Sequence, residues 1–412
     1  MYDWAVLEAW IEFAVRWTHV ITAVAWIGSS FYFIALDLGL RKSPDLPPGA
    51  YGEEWQVHGG GFYHVQKYLV APDRLPDHLI WFKWESYATW LSGFALLILV
   101  YYLGAELYLV DPTVADIAVW QAVLISLASL TFGWLAYDTL CKSRFGDDNT
   151  RLMVLLYVIL VAMAWGYTQV FSGRAALLHL GAFTATIMSA NVFMIIMPNQ
   201  RIVVADLKAG RVPDPKYGRI AKQRSTHNNY LTLPVLFLML SNHYPLAFAT
   251  QYNWIIASLV FLMGVTIRHY FNSRHAGKGN PTWTWAVTAI LFLIIAWLST
   301  APMRTAEPEA QLQGAALTYA SASGFDEVTT IVQGRCSMCH AAEPVWDGML
   351  WPPKGVVLET PAQIAREARR IYLQAGVSHA MPPANLSYME PQERAAIVRW
   401  FQGAGAASGV AG

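Results

Sequence analysis

AALLHLGAFTATIMSANVFMIIMPNQ, residues 175–200, runs between Arg174 and Arg201 without one Asp, Glu, Lys or Arg. A helix of about 20 apolar residues crosses the hydrocarbon core of a bilayer, so a charge-free run of this length reads as a membrane span. The neighbouring sequence repeats the pattern. On the N-terminal side, 152–173, 117–137, 86–105 and 17–36 are equally free of charge, and on the C-terminal side so are 225–267 and 279–303. The run 225–267 is too long for one crossing and breaks at Asn242-His243-Tyr244-Pro245, so the sequence predicts eight spans within 1–303. Composition agrees: 55% of the 412 residues are hydrophobic and only 14% are charged, against about 25% charged in ordinary soluble domains. The formal charge balance is zero, which gives no argument for nucleic acid. Met1 to Arg16 holds three acids ahead of a full-length apolar span, unlike a cleavable signal peptide.

Loop charges set the orientation. With the N-terminus outside, the inner segments 37–85, 138–151, 201–224 and 268–278 collect the Lys and Arg of this half, while the outer segments hold only Arg16 and Arg174. Positive charge marks the cytoplasmic side, so the chain beyond the eighth span is expected to lie outside the cytoplasm.

That outer tail contains Cys336-Ser337-Met338-Cys339-His340. Cys-x-x-Cys-His is the attachment site of a c-type haem, with two thioethers to the porphyrin and the histidine as iron ligand. A second axial ligand is expected, and Met381 in Ala380-Met381-Pro382-Pro383 lies at a suitable distance along the chain. Met338, Met349 and Met389 compete for the role. The predicted metal ligands are therefore His340 and Met381, and the third cysteine, Cys141, is left without a disulfide partner. Residues 304–324 read as a flexible linker. Residues 325–405 read as a small all-α class I cytochrome c domain with helices expected at 361–374 and 391–402, the last presenting Ile397, Trp400 and Phe401 to the haem.

The membrane half carries a weak internal repeat. His19, Ser29 and Phe33 in the first span match His179, Ser189 and Phe193 in the fifth; Tyr87-x-Thr89 matches Tyr230-x-Thr232; Ser143-Arg144 matches Ser273-Arg274. A tandem 4+4 repeat keeps both halves in one orientation, related by an axis along the membrane normal.

Ionisable groups inside a membrane are costly, so each is a candidate site. His19 and His179 lie near the outer ends of their spans and His243 at the outer end of the sixth. Facing histidines are what a b-type haem needs, and His19 with His179 is the repeat-related pair; a histidine bonded to a neighbouring helix is the plainer explanation. On the inner side stand Glu85, His227, Asn228, Asn229, Arg268 and His269. In the first inner loop, polar and apolar residues alternate around Gly59-Gly60-Gly61, which predicts a β-hairpin carrying His58, a rigid cover for the inner mouth of the bundle. Basic residues from Lys208 to Arg224 are read as cytoplasmic-side charge and nothing more.

Trp17-Thr18-His19, Trp26-Ile27-Gly28-Ser29-Ser30, Gln56-Val57-His58-Gly59-Gly60-Gly61-Phe62-Tyr63 and Lys83-Trp84-Glu85-Ser86-Tyr87 together resemble the bacterial membrane-bound urate oxidases (urate hydroxylases). The resemblance covers essentially the whole chain. It implies an eight-span oxidase domain joined to a cytochrome c, with urate oxidised to 5-hydroxyisourate. Electrons then leave through Cys336, Cys339, His340 and Met381 to a soluble cytochrome or terminal oxidase, rather than reducing O₂ to H₂O₂. For such a substrate, Glu85 or His227 is the candidate base, Asn228 and Asn229 the readers of the ring edge, Arg268 the counter-charge, Trp84 or Tyr87 the stacking surface, and His58 a further candidate. Helix ends often carry such residues merely as caps and anchors. Two other readings remain: a haem- or copper-linked oxidase of another substrate, and an anchored cytochrome with no catalysis of its own.

Overall fold

The computed structural model describes residues 4–68, 72, 75–300, 312–346, 349 and 351–407. Among them, six helices are long and apolar enough to cross a membrane. These are α1 (Trp4–Gly39), α4 (Val119–Lys142), α5 (Asn149–Thr168), α6 (Gly173–Ala190) running on into α7 (Met197–Lys208), α10 (Asn253–His275) and α11 (Trp283–Ser299). Two more helices complete the set drawn from the charge-free runs: α2 (Trp84–Leu96), which continues through a widened turn at Leu97–Tyr102, and α8 (Pro215–Ser241). Polar residues inside α8, among them Arg224, His227, Asn228 and Asn229, are buried. They lower its average hydropathy without exposing it.

Apolar residues outside lipid-facing surfaces explain the packing. Leu97, Leu109, Leu156, Leu177, Leu180, Phe183 and Leu238 form one core among α2, α4, α5, α6 and α8. In contrast Trp10, Trp17, Val24, Trp120, Phe132 and Trp297 stand exposed on the helices, as side chains facing acyl chains do. Pro234 interrupts the backbone bonding of α8, and Gly264 of α10 lies against it; a Cβ there would come within 2.5 Å of the proline ring. Thr89 Oγ1 donates to the Glu85 carbonyl at 2.6 Å and Thr232 Oγ1 to that of Asn228 at 2.7 Å, the bond to the preceding turn that threonines make throughout these helices.

The hairpin is present. β1 (Ala50–His58) pairs antiparallel with β2 (Gly61–Tyr68), closed by Gly59 and Gly60 at φ 60° and 79°. Two successive positive φ values make the tight turn whose twist suits a hairpin, and only glycine enters them without strain. Lys67 pairs with Asp37 and Tyr32 donates to Gln56, so the hairpin is fastened to the inner end of α1.

Three short helices lie in the connections: α3 (Ala105–Tyr108), α9 (Pro245–Phe248) and, after residue 311, α12 (Gly314–Ala320). The expected linker 304–324 is thus shortened. Its residues 304–311 lie outside the described residues, while α12 buries Ala316 and packs on the helices at 361–366 and 391–407. The C-terminal core gathers α13 (Phe325–His340), α14 (Pro361–Arg366), α15 (Ala368–Ile371) and α16 (Pro391–Ala407) around Val332, Ile364, Tyr372, Ile397 and Trp400. The helix expected over 361–374 is broken at Glu367, whose φ/ψ of −94° and 12° is not helical. This core rests on the membrane half. Ala5 of α1 joins it, Arg369 pairs with Glu8 at 3.1 Å, and Glu106 accepts from the Ala315 amide at 2.8 Å.

Candidate functional site

Arg224, His227 and Asn228 stand at i, i+3 and i+4 in α8, one face of one helix turn and a half, and this face is buried against α6 and α4. The hydrogen bonds there have a forced direction. Arg224 can only donate: Nη2 reaches Asp138 Oδ1 at 2.7 Å and Nη1 reaches Asn191 Oδ1 at 3.1 Å. That fixes the Asn191 amide, whose Nδ2 donates to the Tyr137 hydroxyl at 3.1 Å and to Asn228 Oδ1 at 3.0 Å. Asn228 Nδ2 in turn donates to the Met188 carbonyl at 2.9 Å. With its oxygen already accepting, the Tyr137 O–H points to His227 Nδ1, 2.7 Å away. Neutral His227 then carries its proton on Nε2, and Nε2 is buried with no partner.

A second group forms on the next face of α8, toward α10. Arg268 Nε and Asn272 Nδ2 both donate to Asn229 Oδ1, at 3.1 and 2.9 Å. The Asn229 amide nitrogen therefore faces away as a donor, again buried and unpartnered. The Arg268 guanidinium lies 4.0 Å over the Phe31 ring of α1, and its Nη2 donates to Asn272 Oδ1. On α2, Glu85 has one carboxylate oxygen, Oε2, buried without a partner, while its neighbour Ser86 reaches Ser189 of α6 at 3.5 Å. Buried polar atoms are nearly always bonded. Four in these two groups and on α2 have no partner: the donors Arg224 Nε, His227 Nε2 and Asn229 Nδ2, and the acceptor Glu85 Oε2.

Of the expected site residues, Asn229 and Arg268 bond to each other, His227 and Asn228 share the Tyr137–Asn191 network on another face of α8, and Glu85 stands on α2. His58 is not part of the group. It is exposed at the tip of β1, and the hairpin leans on α1 rather than covering the helix ends. Trp84 is 65% exposed, so it walls no buried pocket, and Tyr87 meets Phe193 edge-on at 5.2 Å. The sequence reading missed Tyr137, Asp138, Asn191, Arg224 and Asn272. Asn191, an amide within the charge-free run 175–200, and the i, i+3, i+4 spacing were the available signals. Arg224, only 1% exposed, is a structural cation and not cytoplasmic-side charge.

The histidines of the outer half separate. A cavity of about 330 Å³ between α1, α2, α6 and α8 is lined by His19 and His243, with Arg16 and Asn242 at its outer end and Ser189, Asn228 and Thr232 at its inner end. His179 is not among its walls. Its Nδ1 donates to the Ala175 carbonyl at 2.8 Å, and Tyr101, Tyr167 and Phe171 surround the ring.

In the C-terminal part, α13 ends in Cys336, Cys339 and His340. His340 Nδ1 donates to the Val356 carbonyl at 2.8 Å, which leaves Nε2 as the free lone pair, the orientation a metal-bound histidine takes from its outer partner. Met381 packs half-buried against the same core, its carbonyl held by Arg394 at 2.8 Å, whereas Met389 is a core residue, 3% exposed. Among the described residues no three His, Cys, Asp or Glu converge as ligands of a bare metal ion do. The two thiols and the imidazole fit covalent haem attachment instead. Burial pushes the Cys336 thiol up to about 12, so it is held as a thiol. Glu393, beside the motif, lies below its ordinary range; burial works to raise it, but hydrogen bonds from Arg335 and the Glu390 amide prevail.

Residues 5–299 match the family model for the urate oxidase N-terminal domain. No curated protein matches, and no solved structure does.

Proposed function

The chain belongs to the urate oxidase N-terminal family, and we propose that it oxidises urate to 5-hydroxyisourate at the inner ends of α2, α8 and α10 and hands the electrons to a covalent haem c. The observation that carries this is the presence, among the unpartnered buried atoms, of Asn229 Nδ2 beside the Arg268 cation and Glu85 Oε2 on α2, with His227 Nε2 behind them on α8. Urate is a planar anion that shows carbonyl oxygens and N–H groups along one edge. The Asn229 Nδ2 donor and the Glu85 carboxylate would complement it, with Arg268 beside Asn229 as the opposite charge, while His227, two residues before Asn229, faces the other side of α8.

The direction of the network assigns roles. Asn229 Nδ2 would donate to a ring oxygen, while His227, accepting from Tyr137 through Nδ1, would position α8 from its opposite face. Glu85 Oε2 is the free acceptor and takes the N–H proton. The overall balance is urate plus water giving 5-hydroxyisourate, two protons and two electrons. The ring and its three oxygens stay on the product and water supplies the 5-hydroxyl oxygen; Glu85 is the first stop for a proton. Cys336, Cys339, His340 and Met381 would hold the haem, which supplies a one-electron acceptor when bound.

In this reading the helices drawn from the charge-free runs make eight crossings, arranged as two tandem sets of four, and the C-terminal cytochrome lies on the periplasmic side of a bacterial inner membrane. The exposed apolar surfaces and the clustering of Lys and Arg in the inner loops support it. The test is anaerobic addition of urate to purified, haem-loaded protein while the reduced haem c band is followed. Reduction is expected in the native protein and a loss of at least a hundredfold in rate with Glu85→Gln. Silence toward urate, with normal reduction by dithionite, overturns the proposal and leaves an anchored electron carrier or an oxidase of another substrate.

A further inference from the structure

The cavity of about 330 Å³ has a composition that the substrate site does not use. Its walls are apolar: Val20, Ala23, Val24, Leu97, Val235, Leu236 and the rings of Trp26, Trp90 and Phe94. It follows α8 from Asn228 to Asn242, which at 1.5 Å per residue is about 20 Å. It therefore occupies the depth between the inner polar groups and the outer end of the bundle, where Gly355 of the C-terminal part sits 3.2 Å (from an ideal Cβ) off Phe248. Val20, Val24 and Leu240 line it and are also exposed, so it opens sideways between α1 and α8 and admits a ring broader than its enclosed volume.

Two imidazoles enter it. His19 is held like a metal ligand: Nδ1 lies 3.0 Å from the Thr89 carbonyl and 3.1 Å from Ser92 Oγ. The carbonyl can only accept, so Nδ1 carries the proton and Nε2 keeps its lone pair. The ring lies flat against α2 at Gly93, where a Cβ would come within 2.9 Å of Cε1, so a larger residue would push it out of place. His243 lines the outer end beside Asn242 and Arg16, and its ring makes no hydrogen bond among the described residues.

We propose that this cavity is a non-covalent haem b site, with His19 and His243 as axial ligands and the polar outer end, Arg16 and Asn242, receiving the propionates. The ligand partner of His19 is then His243 and not its repeat mate His179, which is sealed behind three aromatic rings. The site stands on the cavity's own residues and does not depend on which substrate the inner groups take. Its place along the bundle answers the distance problem: the inner groups and the haem c motif are separated by about 30 Å of hydrocarbon, too far for one direct electron transfer.

The test is a pyridine haemochrome assay on full-length protein made with c-type cytochrome maturation, before and after acid–acetone extraction. Equal amounts of covalent c haem and extractable b haem are expected. His19→Ala and His243→Ala should each lose at least tenfold of the extractable haem and keep the covalent one, and His179→Leu should keep both. If His19→Ala fails to accumulate, His19→Met supplies an alternative ligand and should move the b-haem absorption band; an unmoved band overturns the assignment. Covalent haem alone in the native protein overturns the site, as does an isoprenoid quinone or phospholipid extracted in its place. Loss of b haem from His179→Leu but not from His243→Ala overturns the ligand pair.

Discussion

Tyr137 does no chemistry in the proposed reaction, yet it decides what His227 can do. Its O–H is the donor that places the His227 proton on Nε2, and its oxygen accepts from Asn191. Tyr137→Phe removes both links and leaves the imidazole free to change tautomer and to turn. Outer partners of this kind are typically worth 10- to 100-fold. The expected result is a fall of about that size in the rate of haem c reduction by urate, with folding and haem content unchanged. Asp138→Asn tests the other end of the chain. The Arg224–Asp138 pair is buried, 2% and 15% exposed, and an uncompensated buried cation costs about 3–5 kcal/mol. Arg224→Met with Asp138→Asn should therefore unfold at a higher temperature than Asp138→Asn alone, read by thermal aggregation in detergent. The residues that could be read beforehand were those whose polarity contradicts their surroundings: His227, Asn228, Asn229 and Arg268 in apolar runs. Arg224 could not be, because a cation beside a basic loop looks the same whether it faces solvent or is turned inward. Only the packing of α8 on α6 decides that.

At the level of elements, α8 and α10 approach at Pro234 and Gly264. A methyl group at Gly264 would meet the proline ring at 2.5 Å, backbone-bound and unable to swing away. Gly264→Ala should cost about 1–3 kcal/mol, the usual cost of overpacking, and would also shift Arg268, one turn further on. A lower unfolding temperature together with a raised KM for urate is the expected pair of effects. The α13–α16 contact has its own signature. Glu393 on α16 accepts from Arg335 on α13 and is held below its ordinary value of 4.5. A carboxylate depressed by folding stabilises above its unfolded value and loses that contribution as pH falls through the folded one. The stability of the C-terminal part, followed by haem absorption, should fall in native protein as pH drops below 4.5, and that pH dependence should shrink in Glu393→Gln, which has no carboxylate to protonate. The hairpin was legible because two glycines leave little else for a Gly59-Gly60 turn to be. The segment 312–324 was not: Ala, Gly and Thr are equally at home in a linker, and α12 exists because Ala316 is small enough to pack on the C-terminal core.

Across the whole molecule, one aromatic ring takes cations from both halves. Tyr108, in the outer connection after α2, has the Arg174 guanidinium of α6 5.1 Å from its centroid and the Arg370 guanidinium of the C-terminal part 4.7 Å from it, and Arg370 Nε donates to its hydroxyl at 3.1 Å. Tyr101, a wall of the cavity, is 6.3 Å further in. Cation–π contacts are worth about 0.5–2 kcal/mol each, more when desolvated, and here they add to Arg369–Glu8 and Ala315–Glu106. The sum describes a seated domain rather than one swinging on a tether. If electrons cross where Tyr108 is clamped, weakening the seat must slow their arrival without touching either end of the route. Arg370→Glu removes the hydrogen bond and the cation from Tyr108 while Arg174 stays. Haem c in that variant should reduce normally with dithionite and bind in the same amount. Its reduction by urate should slow at least tenfold, and the residual rate should vary with ionic strength as the domain samples its seat by diffusion. An unchanged, salt-independent rate would mean that the seated arrangement is not the one through which the electrons pass.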